Sequence, residues 1–241
     1  MATHGLFGIG TVGSGTFNVL ARNREEIVRR AGRDIVISMV ADLDTERAER
    51  IVKGRATVTA NADDILNNPE IDIVIELIGG YGIAKALVLE AIAAGKHVVT
   101  ANKAVLSAHG LELGAAAEKA GVTLGFEASV GGGIPILRAL RESLAGDRNQ
   151  EVYGIVNGTC NFILTRMRDD GASFTDALAD AQARGYAEAD PTLDVDGHDA
   201  AHKLVVLAML AFGAEVDHAL VPTEGIRSLE PIDHTFAARF G

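Results

Sequence analysis

The sequence predicts an α/β fold: a doubly wound parallel sheet followed by a smaller α+β domain. Three observations carry that reading. Between residues 5 and 127, short apolar runs alternate with amphipathic stretches, the pattern of strands and helices that build a parallel sheet with helices on both sides. One run, IDIVIELI at 71–78, is almost continuously apolar, as a strand covered on both faces is. The first strand runs directly into GIGTVG at residues 8–13, a glycine spacing that belongs to a strand-to-helix turn.

Leu6, Phe7 and Ile9 mark the first strand. A long helix follows, with Val12, Thr16, Val19, Leu20 and Ile27 at three- and four-residue spacing. Arg29 and Arg30 sit in its last turn and Gly32 stops it. Residues 35–41 and 71–78 read as strands, 83–94 as a helix ended by Gly95, and 97–100 as a strand. Residues 111–120 read as a helix closed by Gly121, and 122–126 as a strand. After Glu127 the character changes. A Gly-Gly-Gly run and Pro135 open a helix to about Leu144, with proline near its first turn. Residues 151–156 read as a strand and 161–168 as a helix. Ser173 and Asp176 form a capping box for a helix at 174–184 that stops at Gly185. An acidic loop precedes an apolar helix at 198–212. These changes predict one domain at 1–129 and a second at 130–241.

Composition narrows the function. The 22 Lys and Arg against 33 Asp and Glu leave a net charge of −11, which gains nothing from counterion release on a nucleic acid. No apolar stretch reaches the ~18–20 residues of a membrane span, and the first residues, MATHGLF, carry no secretory signal pattern. The single cysteine, Cys160, cannot form an intrachain disulfide. It fits a reducing compartment, so cytoplasmic placement is expected.

In the glycine turn, Gly8 permits the tight bend. Gly10 lets the backbone approach a pyrophosphate, and Gly13 lets helix and strand pack closely. The helix start at Thr11 and Val12 offers N–H groups and a positive dipole end to phosphates. The motif in this strand–helix context implies a Rossmann-type dinucleotide site. Asp42, at the end of the second strand, can accept hydrogen bonds from a ribose diol and repels a 2′-phosphate; the other reading is a loop aspartate that caps a helix at 45–52. Lys103 lies at the C-terminal end of a parallel strand, the ligand-binding edge of an open sheet, or is a solvated loop lysine.

Residues 188–199 hold five carboxylates: Glu188, Asp190, Asp194, Asp196 and Asp199. An EF-hand reading fails, because the alignment puts Thr192 at position 1 and Lys203 at position 12. Asp199 and Lys203 are four apart and share a helix face. LVVLAML follows Lys203, so its ammonium stands between an apolar surface and an acid. Such an ammonium can give a proton to a nascent alkoxide or take one from an alcohol. The alternative is an ordinary surface ion pair.

GIGTVG at 8–13, HVVTANK at 97–103, EASVGGGIP at 127–135, VNGTCN at 156–161 and GYAEADPTLDVDGHDAAHK at 185–203 resemble homoserine dehydrogenases in order and spacing. The likeness runs from residue 5 to about 228, and its last segment is the most specific. The resemblance implies an NAD- or NADP-dependent interconversion of L-homoserine and L-aspartate 4-semialdehyde, on the route to threonine, methionine and isoleucine. It implies Lys203 as proton donor, with Lys103 beside nicotinamide and substrate. Glu188, Asp194 and Asp199 would bind the amino-acid substrate, with Thr159 and Tyr186. Gly185 and Thr159 would line a cleft between domains, and Gly185 would also meet the cofactor. Backbone oxygens of Glu127, Val130, Gly132 and Ile134 would bind a monovalent cation, expected to be sodium. It also implies a homodimer joined through the second domain. Many bacterial relatives carry an arginine where Ala41 stands, and its absence favours NAD over NADP. More chain normally follows the segment at 224–228, so a shortened, non-catalytic dinucleotide-binding or assembly module is the alternative. Aspartate-semialdehyde dehydrogenase is a further rival; it needs a cysteine nucleophile, for which Cys160 is the sole candidate.

Overall fold

A computed structural model describes residues 2–240. The chain divides into two compact units between Ile136 and Leu137. The boundary expected at 129/130 falls earlier, where a single 3-10 turn, Glu127–Ser129, follows the last strand.

The first unit runs β1 (Ala2–Phe7), α1 (Thr11–Arg22), α2 (Arg24–Ala31), β2 (Ile35–Ala41), α3 (Thr45–Val52), β3 (Thr57–Thr59), α4 (Asp63–Leu66), β4 (Ile73–Glu76), α5 (Gly82–Ala93), β5 (His97–Thr100), α6 (Lys103–Ala120) and β6 (Leu124–Gly125). The strands form one parallel sheet in the order β3-β2-β1-β4-β5-β6. That is the Rossmann-type order, and its direction reverses between β1 and β4, the switch point at which open α/β sheets bind ligands.

Side chains alternate across a strand, and this alternation divides the core into two layers. Phe7, Ala41 and Val74 pack on one face with Val88, Ile92, Val105 and Leu113 from α5 and α6. Their neighbours Leu6, Val40 and Ile75 pack on the other, with Phe17 from α1 and Ala48 and Val52 from α3. Residues 71–78 look uniformly apolar for this reason: β4 is central, and both of its faces are covered.

The long helix expected after the glycine turn is two helices, α1 and α2, broken at Asn23. Gly32 ends the second in a left-handed conformation, φ 70°. Helix α6 starts at Lys103, well before the expected 111, because the Asn102 side chain accepts the Val105 N–H and caps it.

Helix α7 (Ile136–Arg138) starts at the boundary and continues into the second unit as a π-helical turn, Ala139–Ser143. Then come α8 (Gly158–Asp170), α9 (Phe174–Ala183), α10 (Thr192–Val195), α11 (His198–Phe212) and α12 (Pro231–Phe240). Ser173 caps α9 as expected, accepting the Asp176 N–H. Ile163, Met167, Ala177, Ala181 and Val195 form a core shared by α8, α9 and α10. The strand expected at 151–156 does not form. Tyr153 is 88% and Ile155 81% exposed, and no described strand pairs with this segment. A strand needs a neighbour to satisfy its backbone groups, and apolar alternation alone supplies none. Among the described residues, no helix is long and apolar enough to cross a membrane.

Among the described glycines the closest approach is at Gly13, where an added Cβ would stand 2.1 Å from the Gly8 carbonyl oxygen. Gly13→Ala is therefore expected to destabilise the fold by about 1–3 kcal/mol. A urea midpoint equal to that of the parent chain would contradict this packing.

Candidate functional site

The glycine turn begins at Gly8, which has φ 84° and lies against the backbone of Leu77 and Ile78 after β4. Both the conformation and the close approach exclude a side chain there. Gly10 caps α1 with no side-chain acceptor, and there is open space where its Cβ would point. The first turn of a 12-residue helix thus faces an open cradle, a donor set and shape suited to a pyrophosphate. Thr11 and Val12 are exposed there, and Gly13 is buried.

Asp42 lies beside this turn. One carboxylate oxygen accepts the Ile9 N–H at 2.7 Å, and the other accepts the Asp44 N–H at 2.9 Å. The cap of α3 is Asp44, which accepts the Arg47 N–H, so Asp42 is not the helix cap. Two backbone donors hold its carboxylate at the edge of the glycine turn. Each oxygen retains acceptor capacity for a second donor.

Glu76, at the end of β4, is wholly buried. One oxygen accepts the Ile78 and Gly79 N–H groups at 2.9 and 3.3 Å; the other accepts the Thr100 hydroxyl at 2.6 Å. The Thr100 hydroxyl oxygen in turn accepts the Asn102 N–H at 2.9 Å, and the Asn102 amide donates to the Gly80 carbonyl at 2.8 Å. This network ties together the loops that leave β4 and β5 and fixes where α6, with Lys103 as its first residue, begins. Sequence reading missed Glu76 and Asn102. The available signal was an ionisable residue inside an otherwise apolar strand, which is tolerated only when its oxygens find donors.

A second group of candidates assembles within the second unit. Asn157 caps α8, its side-chain oxygen accepting the Cys160 N–H at 2.8 Å. Its amide donates to Asp194 at 2.7 Å and to Asp199 at 2.9 Å. Asp199 is only 6% exposed and also accepts from Lys203 at 2.6 Å. The Lys203 ammonium donates again to the Val156 carbonyl at 2.6 Å, and its side chain is 18% exposed. The i,i+4 pair is therefore not a surface ion pair but a partly desolvated one. Thr159 donates to the Tyr186 carbonyl at 2.7 Å, drawing the 185–189 loop onto the start of α8. Asn157, Thr159, Phe162, Tyr186, Asp194, Asp199 and Lys203 line a recess of about 530 Å³.

Of the expected substrate residues, Thr159, Tyr186, Asp194, Asp199 and Lys203 meet at this recess. Glu188 is exposed and does not line it; its carbonyl accepts from the Gln182 amide at 3.0 Å. Gly185, φ 74°, forms the turn into Tyr186. Asn157 and Phe162 were not singled out from sequence. Asparagine before a helix is a cap signal, but the expected helix start at 161 hid it.

Residues 127–134 fold as a 3-10 turn followed by a loop with Gly131 and Gly132 at φ 76° and 58°. Gly131 accepts the Ile134 N–H at 3.1 Å, and Ile134 accepts the Ile136 N–H at 2.8 Å. No cluster of three or more His, Cys, Asp or Glu side chains suited to a metal exists among the described residues. A cation at this loop would rest on backbone oxygens.

Cys160 lacks the surroundings of a nucleophile. Its thiol donates to the Asp194 carbonyl at 3.1 Å. Burial, then the charges of Asp194, Asp199 and Asp196, push its pKa up to about 11, whereas reactive cysteines are depressed toward neutrality.

A profile described as the NAD binding domain of homoserine dehydrogenase matches residues 8–127, and one described as homoserine dehydrogenase matches residues 135–241. A homoserine dehydrogenase of Pseudomonas aeruginosa is 53% identical over 237 residues, covering 98% of this chain and 54% of that protein. The crystal structure of a homoserine dehydrogenase from Thiobacillus denitrificans superposes with a TM-score of 0.95 at 52% identity, over 100% of this chain and 56% of that one. A putative homoserine dehydrogenase from Archaeoglobus fulgidus gives 0.88 at 35% identity, over 100% of this chain and 78% of that one. A hyperthermophilic archaeal homoserine dehydrogenase in complex with NADPH gives 0.79 at 25% identity, over 95% and 75%. The chain spans about half the length of the curated relatives it matches.

The thiol geometry is testable directly. Cys160 is expected to titrate near 11 in the folded chain and near 8.5 once denatured. The Cβ chemical shift of the single cysteine, 13C-labelled and followed across a pH series, checks this; a folded-state value near 8.5 would show that the thiol is not buried beside these acids.

Proposed function

The chain belongs to the homoserine dehydrogenase family, and from that premise we propose that it interconverts L-homoserine and L-aspartate 4-semialdehyde. The observation that carries this reading is the Lys203 ammonium, pinned by Asp199 and the Val156 carbonyl at a recess that also presents Asp194. An ammonium has three N–H donors. Two are engaged, and the third serves the substrate's terminal oxygen.

When bound, the nicotinamide group accepts or supplies a hydride at the substrate's terminal carbon. The chain's own residues manage the proton and the charge. In the reductive direction, Lys203 gives a proton to the oxygen as the carbonyl becomes an alcohol, and solvent returns one to the amine. In the oxidative direction, neutral Lys203 takes the hydroxyl proton. Asp199 and Val156 fix the ammonium so that little reorganisation accompanies the transfer. Asp194 and Glu188 are suited to the substrate's ammonium by charge, and the exposed position of Glu188 makes Asp194 the principal contact. Thr159 and Tyr186 complete the wall of the recess.

The cofactor reading assigns pyrophosphate to Gly8, Gly10, Thr11, Val12 and Gly13, a ribose diol to Asp42, and the nicotinamide end to Lys103. Asp42 favours NAD, because its fixed carboxylate repels a 2′-phosphate and Ala41 offers no cation to offset it. Carbonyl oxygens of Glu127, Val130, Gly132 and Ile134 suit a hard monovalent cation such as sodium; the Ile134 oxygen, already accepting one hydrogen bond, keeps its second lone pair. The exposed Tyr153 and Ile155 segment is compatible with a homodimer formed through the second unit.

Homoserine oxidation by the purified chain, with NAD and NADP side by side, is the test. Turnover is expected with both, and NAD is expected to give the higher kcat/KM. Lys203→Ala is expected to lower kcat at least about 100-fold with cofactor binding retained. Cys160→Ala is expected to keep turnover within about threefold, which a thiohemiacetal mechanism through that thiol forbids. Cofactor binding without any turnover would favour the non-catalytic module instead.

A further inference from the structure

Residues 223–229, TEGIRSL, cross the short acidic turn that carries Asp194. The approach is backbone to backbone. A Cβ added at Gly225 would stand 2.7 Å from the Val195 carbonyl oxygen and 2.9 Å from the Asp196 Cα. Opposite it, a Cβ at Gly197, φ 87°, would stand 3.2 Å from the Glu224 carbonyl oxygen. Two glycines therefore let the two segments touch, and the Ile226 N–H donates to the Val195 carbonyl at 2.8 Å. Ile226 and Leu229 pack on the core formed by Ile163, Met167 and Val195.

Arg227 closes the contact. Its Nε donates to Asp196 at 2.5 Å and its Nη2 to the Thr192 hydroxyl at 3.3 Å. Thr192 is the first residue of α10 and Asp196 its C-terminal cap, so one guanidinium spans both ends of the helix. A four-residue helix does not hold itself together in water. Yet α10 presents the Asp194 carboxylate to Asn157 and the Asp194 carbonyl to Cys160, and leads through Gly197 into α11, which carries Asp199 and Lys203.

We propose that residues 223–229 are a positioning strap for the amino-acid recess, with Gly225 and Arg227 holding α10 so that Asp194 is aimed at the ligand's ammonium. Neither residue lines the recess; both act through Asp194. The identity of the ligand rests on the reading given above, whereas the positioning role does not.

The test uses Arg227→Gln, Arg227→Lys and Gly225→Ala in the full chain. Arg227→Gln removes a half-exposed side chain, so folding is kept even where Gly225→Ala fails to fold. The expected result is a homoserine KM raised about tenfold in Arg227→Gln, as for a displaced charge-assisted hydrogen bond, with kcat within about twofold and the NAD KM unchanged. Arg227→Lys is expected to fall between, because a point charge cannot span Thr192 and Asp196 together. The single thiol provides a readout that needs no turnover. If the strap releases α10, the thiol loses burial and the charges of Asp194 and Asp196 withdraw from it, so it titrates at lower pH in Arg227→Gln than in the parent chain.

A thiol titration unchanged in Arg227→Gln overturns the strap. So does a shifted thiol with an unchanged homoserine KM, since α10 would then move without affecting the ligand. If the parent chain turns over no homoserine, the catalytic reading fails, and the thiol shift alone decides whether the strap positions α10.

Discussion

The second unit depends on how one buried carboxylate is kept charged. Asp199 is almost fully removed from water, and an unpaired charge in such a place is severely penalised. Lys203 supplies an opposite charge from one turn along the same helix, and the Asn157 amide supplies a donor from another. Losing the Lys203 ammonium would take an opposite charge from a buried acid, and broken buried pairs cost far more than exposed ones. The requirement fixes geometry as well as charge. Asn157 must cap α8 and face both acids at once, so α8, α10 and α11 are held in a single arrangement.

The first unit solves a similar problem without a cation. Glu76 is wholly buried, and the hydrogen bonds that hold it come from two backbone N–H groups and a threonine hydroxyl. These donors belong to the loops leaving β4 and β5, so satisfying one carboxylate shapes the ligand edge of the sheet. Asp42 does comparable work on the other side of β1, where its two oxygens join the glycine turn to the end of β2. In each case an acid with a functional or structural claim is anchored by main-chain donors, which cannot rotate away as side chains can.

Element positions were mostly legible. The strands at Ile35–Ala41 and His97–Thr100 and the helix at His198–Phe212 fall where periodicity and stop signals put them. The starts of α6 and α8 did not, because both depend on asparagine caps, Asn102 and Asn157, that precede weakly periodic residues. The expected strand at 151–156 failed for a different reason. Alternation reports which side chains are apolar, but a strand exists only where another strand accepts its backbone.

The sequence by itself determined what is local: the parallel order of alternating elements, the steric need for glycine at the turn after β1, and the i,i+4 facing of Asp199 and Lys203. It also carried the family resemblance, because chemical motifs are short stretches of chain. Only the tertiary structure decided which distant residues complete them. Asp42 reaches Ile9 across 33 residues, Asn157 reaches Asp194 across 37, and Arg227 reaches Asp196 across 31. Periodicity decays within a few turns of helix or residues of strand, so it holds no record of such pairings; they are set by how the packed elements bring chain ends together.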